Sequence, residues 1–271
     1  MLLDSFGREI AYLRISVTEC CNFRCVYCVP PDGTPFKKRQ DILKYEDIAA
    51  IAKEAGKLGF YKIRLTGGEP LIKHDIEKCV AMITATGFYR DICMTTNGSL
   101  LTNQKAIALK QAGLHRITIS LDTLDSVRFT EITQGGQIDS VLAGIEATVA
   151  AGFENTKINM VISETTLQSE IDDMKEFCKK KGMKLQLISK FSLANRKDIS
   201  VTDVVADRPP KCEQCNRIRI TADGHVKSCL FSDNEIKIDL NDIQKSIINA
   251  VKNKPNYGIA CHDRHMHQIG G

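Results

Sequence analysis

The sequence predicts an α/β chain folded as a partial (βα)6 TIM-type barrel, followed by a small C-terminal auxiliary domain. Three observations carry the prediction. From Ala11 to Ser189, short β-branched runs alternate with segments that repeat apolar residues at helical spacing, the pattern of βα units on a parallel sheet. Four of the helical segments run into a glycine, at Gly59, Gly87, Gly113 and Gly152, where a helix ends by turning left-handed. The units number six, whereas a closed barrel takes eight, so the barrel is left open on one side. A doubly wound sheet is the competing architecture.

Taken in order, the strands fall at Tyr12 to Thr18, Tyr61 to Thr66, Asp91 to Thr95, Arg116 to Ser120, Lys157 to Ile162 and Lys184 to Ile188. Between them, Tyr45 to Leu58, His74 to Thr86, Thr102 to Ala112, Asp139 to Ala151 and Leu167 to Lys180 carry the helical period. After Phe191 the period is lost, and Ser192 to Pro210, ending in Arg208-Pro209-Pro210, reads as a linker. Beyond it, Arg217 to Thr221 and His225 to Ser228 form a hairpin turned at Ala222-Asp223-Gly224. The chain thus divides into a barrel over 1–190, a linker over 191–210 and an auxiliary region with its tail over 211–271.

With 271 residues, 43% of them hydrophobic, the chain can bury one large core. A net charge of +4 fits a solvated surface or an anionic small substrate equally. The eleven cysteines are odd in number and gather in two places, and the start of the chain has neither signal peptide nor long apolar run. The expectation is a cytoplasmic protein with no membrane segment, whose cysteines bind metal instead of forming disulfides. Cys79, Cys93 and Cys178 lie in helix or strand patterns and read as buried small hydrophobes; Cys261, His262, His265 and His267 read as a polar tail.

Cys21, Cys25 and Cys28 form a Cys-x3-Cys-x2-Cys run directly after the first strand. Three thiolates so close can hold a four-iron cluster and leave one iron open. A structural zinc site would want a fourth ligand, and the neighbouring Cys20 is too close to Cys21 to share the metal. Polar motifs then fall at strand C-terminal ends, where such folds place their sites: Thr66-Gly67-Gly68-Glu69-Pro70, Thr95-Thr96-Asn97-Gly98 and Ser120-Leu121-Asp122. Glycines admit close backbone approach, Glu69 can accept from an ammonium, and the short hydroxyl and amide groups suit a ribose or carboxylate. The second cluster, Cys212-x2-Cys215-x13-Cys229, admits a Cys3His zinc ribbon with His225 or a second iron–sulfur cluster. Arg217 and Arg219 alternate on a strand, so both face one side, where they can hold phosphate.

The first cysteine run, with Tyr27 before its last Cys, resembles the radical S-adenosylmethionine (SAM) superfamily. The resemblance implies that SAM chelates the open iron and is cleaved to a deoxyadenosyl radical. More narrowly, Leu-Arg-Ile-Ser-Val-Thr before that run, Lys-Ile-Arg-Leu-Thr-Gly-Gly-Glu-Pro, Cys-x2-Cys-Asn-Arg-x-Arg with its later Cys, and terminal Gly270-Gly271 resemble the GTP 3′,8-cyclases of molybdenum cofactor biosynthesis. By that resemblance the cofactors are two [4Fe–4S] clusters and SAM. Cys21, Cys25 and Cys28 hold the SAM cluster; Tyr27, Gly68, Glu69, Asn97, Ser120 and Phe191 contact SAM. Cys212, Cys215 and Cys229 hold the auxiliary cluster, and Arg14, Arg64, Thr95, Lys157, Arg217, Ile218 and Arg219 contact GTP. The Gly270-Gly271 tail reaches the radical site.

The partners so implied are GTP, an electron donor such as flavodoxin or ferredoxin, the downstream cyclic pyranopterin monophosphate synthase and a second copy in a homodimer, with no nucleic acid. The chain departs from the family on strand six, where an Arg and a Glu three residues later give way to Gln186 and Ser189. Phe191 replaces a Met, and the linker is shorter. Another radical SAM enzyme with one auxiliary cluster, such as a peptide-modifying one, and a zinc-ribbon module binding nucleic acid are the other readings.

Overall fold

The computed structural model describes residues 1–30, 37–196 and 211–270; most of the linker reading, 197–210, and Gly271 lie outside the described residues. Six strands form in the order the periodicity requires: β1 Tyr12–Ser16, β2 Lys62–Thr66, β3 Asp91–Thr96, β4 Arg116–Ser120, β5 Lys157–Ile162 and β6 Lys184–Ser189. The helices between them are α1 Tyr45–Lys57, α2 Ile76–Thr84, α3 Asn103–Gln111, α4 Ser126–Thr133, α5 Ile138–Ala150 and α6 Gln168–Lys180. The four expected glycine stops all take positive φ, between 72° and 99°. The short helix α4 was not expected; Asp125 caps it by accepting from the Arg128 amide at 2.7 Å, and Phe129 is its core residue.

Strands β1 to β6 pair in consecutive order and in parallel. A doubly wound sheet reverses direction part-way through its βα units, and β1 to β6 run through all six without a reversal, so the barrel reading stands over its competitor. After β6 the chain returns to the other side of β1. There β7 Arg217–Ile220 pairs with β1 in parallel, and β8 His225–Lys227 and β9 Glu235–Lys237 continue antiparallel. The cysteine-bearing hairpin therefore extends the barrel's own sheet, and β9 adds a strand that the sequence reading lacked. Also unread was α7 Ile243–Lys252, which buries Ile243, Ile247, Ala250 and Val251 at helical spacing and packs on α1. The short helix α8 Met266–Ile269 follows.

Period-two alternation divides every parallel strand. Leu13 and Ile15, Ile63 and Leu65, Ile117 and Ile119, and Ile218 and Ile220 are all fully buried in one apolar core with the helices. Their alternates are polar and turn to the barrel interior. Register then brings distant residues level: Arg14 stands opposite both Arg64 on β2 and Arg219 on β7. Three guanidiniums thus share one tier of the lumen.

Candidate active site

At the C-terminal ends of the strands lies a cleft with about 1010 Å³ of open space, at the upper end of the range of small-molecule sites. Cys21, Cys25 and Cys28 line it together, as do Tyr27, Gly68, Asn97, Ser120 and Phe191. Cys20 does not; its carbonyl instead accepts from the Glu69 amide at 2.8 Å. The Gly68 amide bonds to the Thr18 carbonyl at 2.9 Å, and a Cβ at Gly68 would meet the Cys20 carbonyl oxygen at 2.3 Å. Gly68 is thus glycine so that the β2 loop can lie against the approach to the cysteines.

Glu69, assigned by resemblance to SAM, does not line the cleft. It is fully buried, and its carboxylate accepts from the Leu71 amide at 2.9 Å, the Thr96 hydroxyl at 2.7 Å and the Asn97 amide at 2.7 Å. Burial pushes its pKa up to about 7 against those three bonds. Its observed work is to join the loops after β2 and β3, which places Asn97. That amide side chain bonds Asn22 at 2.9 Å and reaches Cys21 Sγ at 3.9 Å. Tyr27 donates to Asp122 Oδ2 at 2.5 Å, while Asp122 Oδ1 accepts from the Val161 amide. Asp122 and Asn159 line the cleft and were not among the expected contacts. Asn159 Oδ1 is buried without a hydrogen-bond partner in the structure, an acceptor fit for a ligand donor. Its signal was its place on β5, level with Ser120.

The three thiols are half-buried. Burial pushes Cys25 up to about 12 and raises Cys21 and Cys28 as well. A bare thiolate is disfavoured there, and three neutral sulfurs converging on one cleft form a donor set that fits a cluster whose iron replaces the protons. The second set, Cys212, Cys215 and Cys229, lines a separate pocket with Arg217 and Arg219. His225 is not in it: its ring pairs with Asp223 at 3.3 Å and lines a different cavity. The Cys3His set is therefore not assembled, and three sulfurs remain. Cys215 is half-buried, and although that burial opposes ionisation its pKa falls, because Lys254, Arg217 and the Arg217 amide favour the thiolate.

The arginine tier adjoins both pockets: Arg219 lines the second, and Gly270, whose carbonyl Arg219 and Arg14 share, lies against Thr66, which lines the first. Arg64 donates to Tyr12 at 2.7 Å, Thr95 at 2.8 Å and Thr118 at 2.9 Å. Burial, partly countered by Tyr12 and reinforced by Arg64 and Arg217, pushes the Arg14 guanidinium down to about 10; burial beside Arg14 and Arg217 also holds Arg219 well below the usual arginine range. Buried like charges at this density suit a polyanion. Lys157 lies lower, in a small cavity with Arg64, Arg116 and Gln186. Ile218 is the exception among the expected substrate contacts: its side chain is 0% exposed and belongs to the apolar core on the opposite face from Arg217 and Arg219.

The tail enters this space instead of fraying. His267, Gln268 and Ile269 are buried, Met266 lines the first cleft, and the Gly270 carbonyl accepts from Arg219 at 3.0 Å and Arg14 at 3.4 Å. At φ 74°, a Cβ on Gly270 would meet Thr66 Cγ2 at 2.5 Å. The reading of Cys261, His262, His265 and His267 as a polar tail holds for the exposed His262 and His265 and is corrected for Cys261 and His267, which are buried at 2% exposure; between them Arg264 bridges Glu235 at 2.7 Å and Asp223 at 3.1 Å.

The radical SAM superfamily model matches residues 15–178, and the molybdenum cofactor synthesis C model matches 142–258. A GTP 3′,8-cyclase of Clostridium botulinum strain Langeland is 37% identical over 320 aligned positions, covering 100% of both chains. This chain belongs to the GTP 3′,8-cyclase family of the radical SAM superfamily. A GTP 3′,8-cyclase of Saccharophagus degradans is 32% identical, covering 94% of this chain and 92% of its own. The alignment with the first cyclase is longer than the 271 residues here, so that relative carries segments this chain lacks. Among solved structures, Streptococcus suis SuiB bound to S-adenosylmethionine superposes with a TM-score of 0.71 at 16% identity, covering 92% of this chain and 67% of that one. For anSMEcpe with bound AdoMet the TM-score is 0.66 at 15% identity, over 90% of this chain and 81% of that one. At such identity the two superpositions speak to the fold: the cyclase family chain shares its architecture with radical SAM proteins. No helix among the described residues is long and apolar enough to cross a membrane.

Proposed function

We propose that this protein is a radical SAM cyclase that converts GTP to (8S)-3′,8-cyclo-7,8-dihydroguanosine 5′-triphosphate in molybdenum cofactor biosynthesis. The observation that supports it most strongly is the arginine tier adjoining both three-cysteine pockets, since a triphosphate gripped there can present its nucleoside to them. When bound, the SAM cluster supplies one-electron cleavage of SAM and thus the radical that removes the ribose 3′ hydrogen, so that this carbon attacks guanine C8.

The chain's own residues hold and orient these partners. Cys21, Cys25 and Cys28 hold the SAM cluster; Gly68, Asn97, Ser120, Asn159 and Phe191 cradle SAM, and Glu69 sets the loops that do so. Arg14, Arg64, Thr95, Arg217 and Arg219, with Lys157 below, bind the triphosphate by charge-assisted bonds. Cys212, Cys215 and Cys229 would hold the second cluster, beside which Arg217 and Arg219 would orient the guanine nucleotide. The Gly270-Gly271 tail, drawn in by Arg14 and Arg219, closes the lumen around the nucleoside. The organisation is a barrel over 1–190, a linker over 191–210 and an auxiliary region over 211–271.

The setting is the cytoplasm, with a flavodoxin or ferredoxin as electron donor, cyclic pyranopterin monophosphate synthase taking the product, and a homodimer as the assembly. Anaerobic incubation with SAM, reductant and GTP, followed by mass analysis, tests the reading. The expected result is a cyclised triphosphate and deoxyadenosine in equal amounts, from protein carrying about eight irons per chain. Tightly bound zinc with about four irons, or SAM cleavage indifferent to GTP, would sink it.

A further inference from the structure

The two cysteine sets sit in opposite electrostatic surroundings. Around Cys21, Cys25 and Cys28 the cleft lining is apolar or neutral apart from Asp122 and Lys190, and Arg24 donates to backbone carbonyls, those of Cys21 and Phe23, at 2.6 and 3.1 Å. Around Cys212, Cys215 and Cys229 stand Arg196, Arg217, Arg219, Lys227 and Lys254. One of these five donates to sulfur, and a second is buried beside the cysteines. The Arg196 guanidinium donates to Cys212 Sγ and is held over the Tyr257 ring at 4.4 Å and the Phe231 ring at 5.4 Å. The Lys254 ammonium lines the same pocket as Cys215 and donates to the Arg217 carbonyl at 3.0 Å and to the Ser228 carbonyl. Lys254 is 3% exposed, so solvent does little to screen it.

We infer that Arg196 and Lys254 are positioning residues that raise the reduction potential of the cluster on Cys212, Cys215 and Cys229 above that of the SAM cluster. The inference rests on the two-cluster reading above. Reducing a four-iron cluster adds one electron from the external donor and makes or breaks no bond, so the net change is one more negative charge. Cations and N–H donors at the sulfurs favour that state, and burial lengthens their reach. The cluster with the cationic shell therefore takes an electron first and holds it too firmly to cleave SAM. The SAM cluster, lacking such a shell, remains the stronger reductant, and radical formation is confined to one end of the lumen.

The test uses the full chain with Cys21, Cys25 and Cys28 all replaced by Ala and reconstituted anaerobically, so that only the second cluster is present. Its reduction is followed by electron paramagnetic resonance against poised mediators. At the poise where the parent is half reduced, Lys254→Met should show about a tenfold lower ratio of reduced to oxidised cluster, ~59 mV for one electron. Lys254→Arg should restore the parental midpoint, and Arg196→Gln should shift it in the same direction as the Met variant. Iron-replete Met and Gln variants that titrate at the parental midpoint would overturn the inference. If Lys254→Met holds no iron, Arg196→Gln decides alone, and an unmoved midpoint there overturns it. A triple-Ala parent that holds no cluster would bring down the two-cluster reading along with it, whereas a cluster with an unmoved midpoint brings down the tuning only.

Discussion

Replacing Arg14 with Met should stabilise the GTP-free protein and weaken GTP binding, two effects of opposite sign from one charge. Arg14 is 9% exposed and level with Arg64 and Arg219. Burial and its like-charged neighbours bring its guanidinium to about 10, and a displacement of that size corresponds to roughly 3 kcal/mol against the charged form. Against this stand its bond with Tyr12 and a contact with the Gly270 carbonyl at 3.4 Å, too long to return the whole amount. Methionine keeps the length of the side chain without the charge, and replacing a buried charge by an apolar isostere is often stabilising by about 1–4 kcal/mol. A net gain of about 1 kcal/mol raises the midpoint of thermal unfolding by ~2–4 °C in a domain of this size. With GTP the sign reverses: the lost charge-assisted bond costs about 1.5–3 kcal/mol, a tenfold or greater loss of affinity. The assays are calorimetric unfolding without nucleotide and equilibrium binding of GTP and guanosine, all under anaerobic conditions. Guanosine affinity should barely change. A variant that melts lower than the parent without GTP, or binds GTP as tightly, would refute the account of the tier as a strained anion site.

Ile218→Ala should destabilise by about 2–5 kcal/mol through a core cavity while leaving the Michaelis constant for GTP near the parental value, in contrast to Arg217 or Arg219 substitutions. Glu69 gives a pH signature. A carboxyl raised to about 7 contributes fully below its ordinary range and loses its contribution as pH climbs through 7, so stability of the parent relative to Glu69→Gln should fall by ~1 kcal/mol between pH 6 and pH 8 in urea titrations; a flat or rising difference would contradict the buried position. Gly270→Ala, which meets Thr66 at 2.5 Å, should displace the tail, leaving iron content and SAM cleavage intact but lowering the yield of cyclised product per SAM cleaved. Equal yield from that variant would return the tail to a passive role. Cys25→Ala should abolish SAM cleavage, whereas Cys215→Ala should keep slow cleavage without product, as measured by deoxyadenosine release.

The sequence by itself determined the features that contiguous residues carry. The six strands, the five helices α1, α2, α3, α5 and α6 and the four glycine stops follow from local period and local backbone conformation, and the spacing of Cys21, Cys25 and Cys28 predicts a common cleft because all lie on one short loop. Tertiary structure alone decided what depends on pairing across long separations. Arg14 and Arg219, 205 positions apart, become level only because β7 docks beside β1 in parallel register. That same register turns Ile218 away from the lumen and into the core, since side chains alternate by residue. Glu69 looks like a ligand by motif, yet the loops after β2 and β3 converge on it and use all its bonding capacity that is visible here. Arg196 and Lys254 have no motif; they reach the cysteine pocket from segments that fold back after β6 and α7. The tail, polar in composition, is buried because the barrel left open by six units offers charged partners that solvent would otherwise have to replace.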